Sequence, residues 1–73
     1  MILIPVQSSN LSAIGYDPDT LTMQVSFKSG GIYAYVNIEP DTYAAGQASG
    51  DIGRWFAEVI KPQRTRYAFT CIA

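Results

Sequence analysis

The chain has 73 residues, is 48% hydrophobic and 15% charged, and carries a net charge of −1. That size allows one small domain, residues 1–73, whose core stays marginal unless helices cover a sheet or copies associate, and the apolar content excludes a disordered chain. No apolar run approaches the roughly 20 residues of a membrane span, Met1–Val6 lacks the basic flank and length of a signal peptide, and Cys71 is the single cysteine, so a cytoplasmic protein without an internal disulfide is expected.

In chain order, Leu11 to Tyr16 reads as a strand closed by the turn Asp17-Pro18-Asp19-Thr20, where proline presets φ and the aspartates bond nearby backbone. Thr20 to Phe27 alternates without a break, Leu21, Met23, Val25 and Phe27 on one face and Thr22, Gln24 and Ser26 on the other, the pattern of a half-buried strand. Gly30 and Gly31 supply the positive φ of a tight hairpin turn into a third strand, Gly31 to Ile38. Within it, Tyr33-Ala34-Tyr35 puts two phenol rings on one face, opposite Ile32, Ala34, Val36 and Ile38, and a paired aromatic platform on a sheet suits the stacking of a flat ligand.

The period then changes. Pro40 suits the first turn of a short helix through Tyr43 and Ala45, limited by Gly46 and Gly50. Ser49 or Asp51 caps a second helix in which Ile52, Trp55, Phe56, Val59 and Ile60 form one apolar stripe, ended by Pro62. Arg64 to Ile72 alternates again and predicts a fourth strand, in this chain's sheet or a neighbour's, with Cys71 as a buried or terminal structural thiol. The expected architecture is α+β, an N-terminal antiparallel meander of three to four strands packed against two short C-terminal helices.

Charge is segregated. Residues 1–53 hold one lysine against five carboxylates, whereas Arg54, Lys61, Arg64 and Arg66 face only Glu58 in the remainder. Five basic residues and a pI near 4.9 make a poor general binder of long polyanions, and a small phosphorylated ligand fits this distribution better. Without histidine, with one cysteine lacking a basic neighbour and with every aspartate at a turn or helix start, neither nucleophilic catalysis nor a transition-metal site is supported, so no enzyme activity, metal or cofactor is expected. Stacking contributes about 1–3 kcal/mol per base, which leaves two tyrosines at millimolar to tens of micromolar affinity. Charge-assisted contacts must supply the rest, and Arg54, Arg64 and Arg66 are the candidates, with Ser8, Ser9 and Asn10 as further hydrogen-bonding groups.

Ser8-Ser9-Asn10-Leu11, Ile14-Gly15-Tyr16-Asp17, Phe27 with Gly30, Tyr33-Ala34-Tyr35-Val36, Pro40 with Tyr43, and Gly53 through Phe56 to Ile60 occur in an order that resembles the KTSC domain over roughly Gln7 to Tyr67. The family takes its name from the C-terminus of some lysyl-tRNA synthetases and also occurs as small stand-alone proteins of bacteria and their phages. The resemblance implies suspected RNA binding rather than a defined activity. Asp51-Ile52-Gly53 replaces the common Ser-x-Gly, and Ala57 stands where asparagine often follows the phenylalanine.

Three functional readings follow. The leading one is a non-enzymatic homo-oligomeric module that binds a nucleotide-like ligand through Tyr33, Tyr35, Arg54, Arg64, Arg66, Ser8, Ser9 and Asn10; in a phage it would be an anti-defence sponge for cyclic nucleotide signals, acting in the host cytoplasm. The second is an accessory domain for single-stranded RNA or tRNA. The third makes the tyrosines a protein interface or simple packing.

Overall fold

A computed structural model describes residues 1–73 as a single antiparallel sheet of five strands in sequential order, β1 (Ile4–Pro5), β2 (Leu11–Asp17), β3 (Thr22–Phe27), β4 (Ile32–Tyr35) and β5 (Phe69–Cys71). Helices α1 (Pro40–Ala48) and α2 (Ile52–Trp55) lie between β4 and β5, and α2 continues without a break into a π-helical segment, Phe56–Ile60. The class is α+β as expected, with one strand more than the three to four the sequence suggests. The addition is β1, which pairs Ile4 with Ile14 and Pro5 with Ala13. Two residues, one of them proline, carry no alternation from which a strand can be read, yet they suit a sheet edge, where a missing N–H costs nothing.

The register explains the core. Ile14 opposes Val25, Tyr16 opposes Met23, Met23 opposes Tyr35 and Val25 opposes Tyr33, so these side chains share one face. Against that face the stripe of the second helix places Trp55, Phe56 and Ile60, all buried, with Ile52 and Val59 at its margins. No polar side chain is buried in this core. Leu11 and Ile14 are both buried although three residues apart, because a bulge between Leu11 and Ala13 adds one residue to β2 and resets its alternation. The opposite face carries the small or polar residues Ala13, Gly15, Gln24, Ser26 and Ala34, and the N-terminal segment crosses it at Gly15, where a Cβ would stand 2.6 Å from the Ile2 carbonyl oxygen.

Three local expectations are corrected. Leu21 adopts φ 53° and falls out of β3, which begins at Thr22. Asn37, at φ 63°, ends the extended run after Tyr35 and turns the chain over, so Ile38 is fully buried on the side opposite to the one alternation assigns it. Its amide donates to the Leu21 carbonyl (2.9 Å), and its carbonyl accepts from the Tyr16 hydroxyl (2.5 Å). In the tail only Phe69–Cys71 is a strand, since Arg64–Tyr67 turns to let Tyr67 into the core. Of the two placements open to Cys71, buried or terminal, the terminal one holds: the thiol is exposed on the edge strand.

Candidate functional site

The Tyr33–Tyr35 pair faces the helices, not solvent. Tyr35 is only 4% exposed and packs edge-on against Phe56 at 5.2 Å, while Tyr33 is half-buried and meets Phe27 edge-on at 5.4 Å. Phe69, brought opposite Tyr35 by the β4–β5 register, lies 5.4 Å from Tyr35 and 5.9 Å from Tyr33. The expected open platform is therefore an aromatic cluster of five rings, Phe27, Tyr33, Tyr35, Phe56 and Phe69, most of whose area is spent on the core. Such edge-to-face pairs contribute about 0.5–1.5 kcal/mol beyond burial, so packing accounts for much of the motif.

The cluster nevertheless reaches the surface along one side, where two adjoining clefts open. The first, of about 300 Å³, is lined by Phe27, Ser29, Gly30, Tyr33, Tyr35, Lys61, Arg64 and Phe69. The second, of about 410 Å³, has Ser9, Asn10, Lys28 and Ser29 on one rim and Gly53, Ala57 and Lys61 on the other, over Leu11, Phe27 and Phe56. A larger and more polar hollow, of about 520 Å³, continues past Ser9 and Asn10 to Asp51 and Arg54. The first two clefts share Phe27, Ser29 and Lys61 and contain no carboxylate, whereas Asp51 borders the polar hollow.

Local chemistry builds both rims. Gly30 and Gly31 take φ 107° and 90°, closing the Lys28–Gly31 turn as expected from the glycines. The Lys28 amide donates to the Asn10 carbonyl (2.8 Å), which ties that turn to the loop before β2. Within that loop the Ser8 hydroxyl accepts from the Asn10 and Leu11 amides, both at 3.2 Å. Ser8 is thus a turn former and not a free contact, and its hydroxyl fills the space a side chain on Gly53 would need, 2.2 Å from that position.

The opposite rim comes from the second helix. Asp51 Oδ1 accepts from the Arg54 amide (3.1 Å) and caps the helix. The π-helical turn that follows is closed by the Lys61 amide donating to the Phe56 carbonyl (3.0 Å). This i to i+5 bond sets Lys61 above Phe56, where both border the same cleft. Burial raises the Tyr35 phenol above its ordinary pKa of 10.0, the Tyr33 phenol adds to the rise and Arg64 opposes it. Tyr35 therefore remains a neutral hydroxyl at the cleft floor.

Of the residues expected in the site, Tyr33, Tyr35 and Arg64 meet in the aromatic cleft, and Ser9 and Asn10 line its neighbour. Arg54 is in the polar hollow, with its Nε 3.3 Å from Glu58 in an exposed i,i+4 pair. Arg66 borders neither cleft; its guanidinium lies 5.3 Å from the Tyr67 ring centre, and its carbonyl accepts from Asn37. Lys28, Phe27, Ser29 and Phe69 complete the arrangement from outside the expected set, and Lys61, foreseen only as part of the basic C-terminal end, joins them. Phe27 ends the clearest alternating strand and Lys28 begins the glycine turn, so those two were within reach of the pattern; Lys61 depends on the π turn, which leaves no mark in the sequence.

A family model for the KTSC domain matches residues 7–67. An uncharacterized protein of Stutzerimonas stutzeri is 39% identical over 64 residues, 88% of this chain and 90% of that protein. A protein of Tsukamurella paurometabola is 32% identical over 59 residues, 81% and 88% of the two chains. The crystal structure of a KTSC domain protein from Yersinia pestis superposes with a TM-score of 0.87 at 29% identity, covering 99% of this chain and 97% of that one.

Proposed function

We propose that this chain, which belongs to the KTSC domain family, is a binding module for a small anionic ligand with an aromatic ring, a nucleotide-like molecule held in the clefts beside Lys61. The observation that carries this reading is the charge of the walls. In a protein of net charge −1, Lys28, Lys61 and Arg64 converge on two adjoining clefts that no aspartate or glutamate lines. Like charges are brought together at some cost in repulsion, and an anion is the partner that relieves it. The rings of Phe27, Tyr33 and Phe69 offer a planar group stacking or edge contacts, and the two volumes lie at the lower end of those that enclose small ligands.

Binding without catalysis suits this inventory, and sequestering a soluble nucleotide signal is one cellular role it would serve, the anti-defence sponge of a phage-borne copy being a concrete form. A long polyanion is disfavoured because the rest of the molecule is acidic. Calorimetry with nucleoside 5′-monophosphates, linear dinucleotides and cyclic dinucleotides tests the reading. At least one class is expected to bind, with Lys61→Gln weakening it about tenfold or more, as loss of a charge-assisted contact of about 1.5–3 kcal/mol requires. Tyr33→Leu, which keeps apolar bulk but removes the phenol, should weaken it further. Silence from the whole panel at high micromolar protein overturns the proposal. Binding whose affinity falls by several orders of magnitude between low and moderate salt and rises with strand length would point to RNA instead.

A further inference from the structure

We infer that the site is bipartite and takes two ring systems joined through a phosphodiester, a dinucleotide, with the bridging phosphate at Lys61. This rests on the nucleotide-like reading above and adds to it the number and order of the ligand's parts. The two clefts are not independent. Phe27 borders both, and so do Ser29 and Lys61, so one aromatic side chain stands as a partition with one cation beside it. A ring on each side of Phe27 is connected by a linker that has to pass the partition. The side chain at that passage with charge to offer is the Lys61 ammonium, a compact donor that suits a phosphodiester oxygen.

The chemistry on the two sides differs in a way that suits two rings. The aromatic cleft supplies Tyr33 and Phe69 to one ring plane and Arg64 at its margin. The neighbouring cleft supplies the apolar Leu11 and Phe56 below and polar side chains at the rim. Among these, Asn10 spends its backbone, not its side chain, on the fold: its amide donates to Ser8 and its carbonyl accepts from Lys28. The carboxamide thus keeps both donor and acceptor for a base edge. Lys28 borders only one cleft and Arg64 only the other, with Lys61 common to both, so a ligand with one central phosphate can place a second in either cleft. A mononucleotide occupies one side and leaves the other cation set unused.

The test compares, on the full chain, the four nucleoside 5′-monophosphates with the corresponding 5′-phosphorylated and cyclic homodinucleotides. The best dinucleotide is expected to bind at least tenfold tighter than its mononucleotide. Asn10→Ala should reduce dinucleotide affinity several-fold, and Lys61→Gln should reduce the affinity for dinucleotide and mononucleotide alike. Asn10 is exposed and its side chain is free of internal bonds, so that variant keeps the fold. If mono- and dinucleotides bind equally, or if Asn10→Ala leaves dinucleotide affinity unchanged, the bipartite site is overturned while the nucleotide class stands. If nothing in the panel binds, both readings fall.

Discussion

Gly46 lies under the Trp55 indole, and a Cβ built there would stand 2.6 Å from two carbons of that ring. Gly46→Ala therefore cannot profit from the higher helix propensity of alanine; it is expected to destabilise the protein by about 1–3 kcal/mol through overpacking. Thermal melting should show a fall of about 4–8 °C per kcal/mol lost, and an unchanged or raised midpoint would remove the close contact from the account. The same residue shows where sequence reading stops. A glycine in a helix reads as a terminus, because propensity is local, whereas here α1 runs on to Ala48 and uses the missing side chain to approach α2. The two tyrosines behave alike. Spacing places Tyr33 and Tyr35 on one face, as observed, but which face the helices cover is decided by the stripe from Ile52 to Ile60, twenty residues further on. Alternation alone cannot say that the rings turn inward.

At the scale of elements, the second helix depends on its first hydrogen bond. Asp51→Ala removes the acceptor of the Arg54 amide and is expected to cost about 0.5–2 kcal/mol, measured as a shift of the urea midpoint at constant slope, while Asp51→Ser should recover most of it. A full loss in the serine variant would mean that the carboxylate charge, and not the cap bond, matters. Capping was legible because aspartate two residues before glycine, ahead of an apolar stripe, has few other uses. The strand ends were not legible. Leu21 and Asn37 take left-handed backbone, and nothing in a run of alternating residues announces the one at which alternation ends. The bulge before Ala13 is similarly silent, yet without it Leu11 and Ile14 could not both be buried.

For the whole molecule, three phenols tie stability to alkaline pH. Tyr16, Tyr35 and Tyr43 all have pKa values raised, chiefly by burial. Above the unfolded value of about 10 the unfolded chain has already lost protons that the folded one retains, so stability is intact below pH 10 and declines as pH rises through the folded values. Thermal midpoints between pH 8 and 11.5 should fall in that window, and Tyr35→Phe should flatten the fall; a midpoint that rose there would contradict the sign. Tyr16 and Tyr43, stacked at 4.5 Å, join the sheet to α1, so their ionisation loosens the contact between layers. Charge segregation along the chain was readable from composition, but the path that leads Lys28 from the acidic half to Lys61 and Arg64 is a property of the folded meander. Lys61 itself arrives by phase. An α-helix advances about 100° per residue, so the extra residue that the π turn accommodates holds the following coil back by roughly a quarter revolution. The direction of that ammonium is therefore set by a count of residues rather than by any side chain beside it: a one-residue deletion within Phe56–Ile60 would aim it elsewhere, though every group lining the clefts kept its identity.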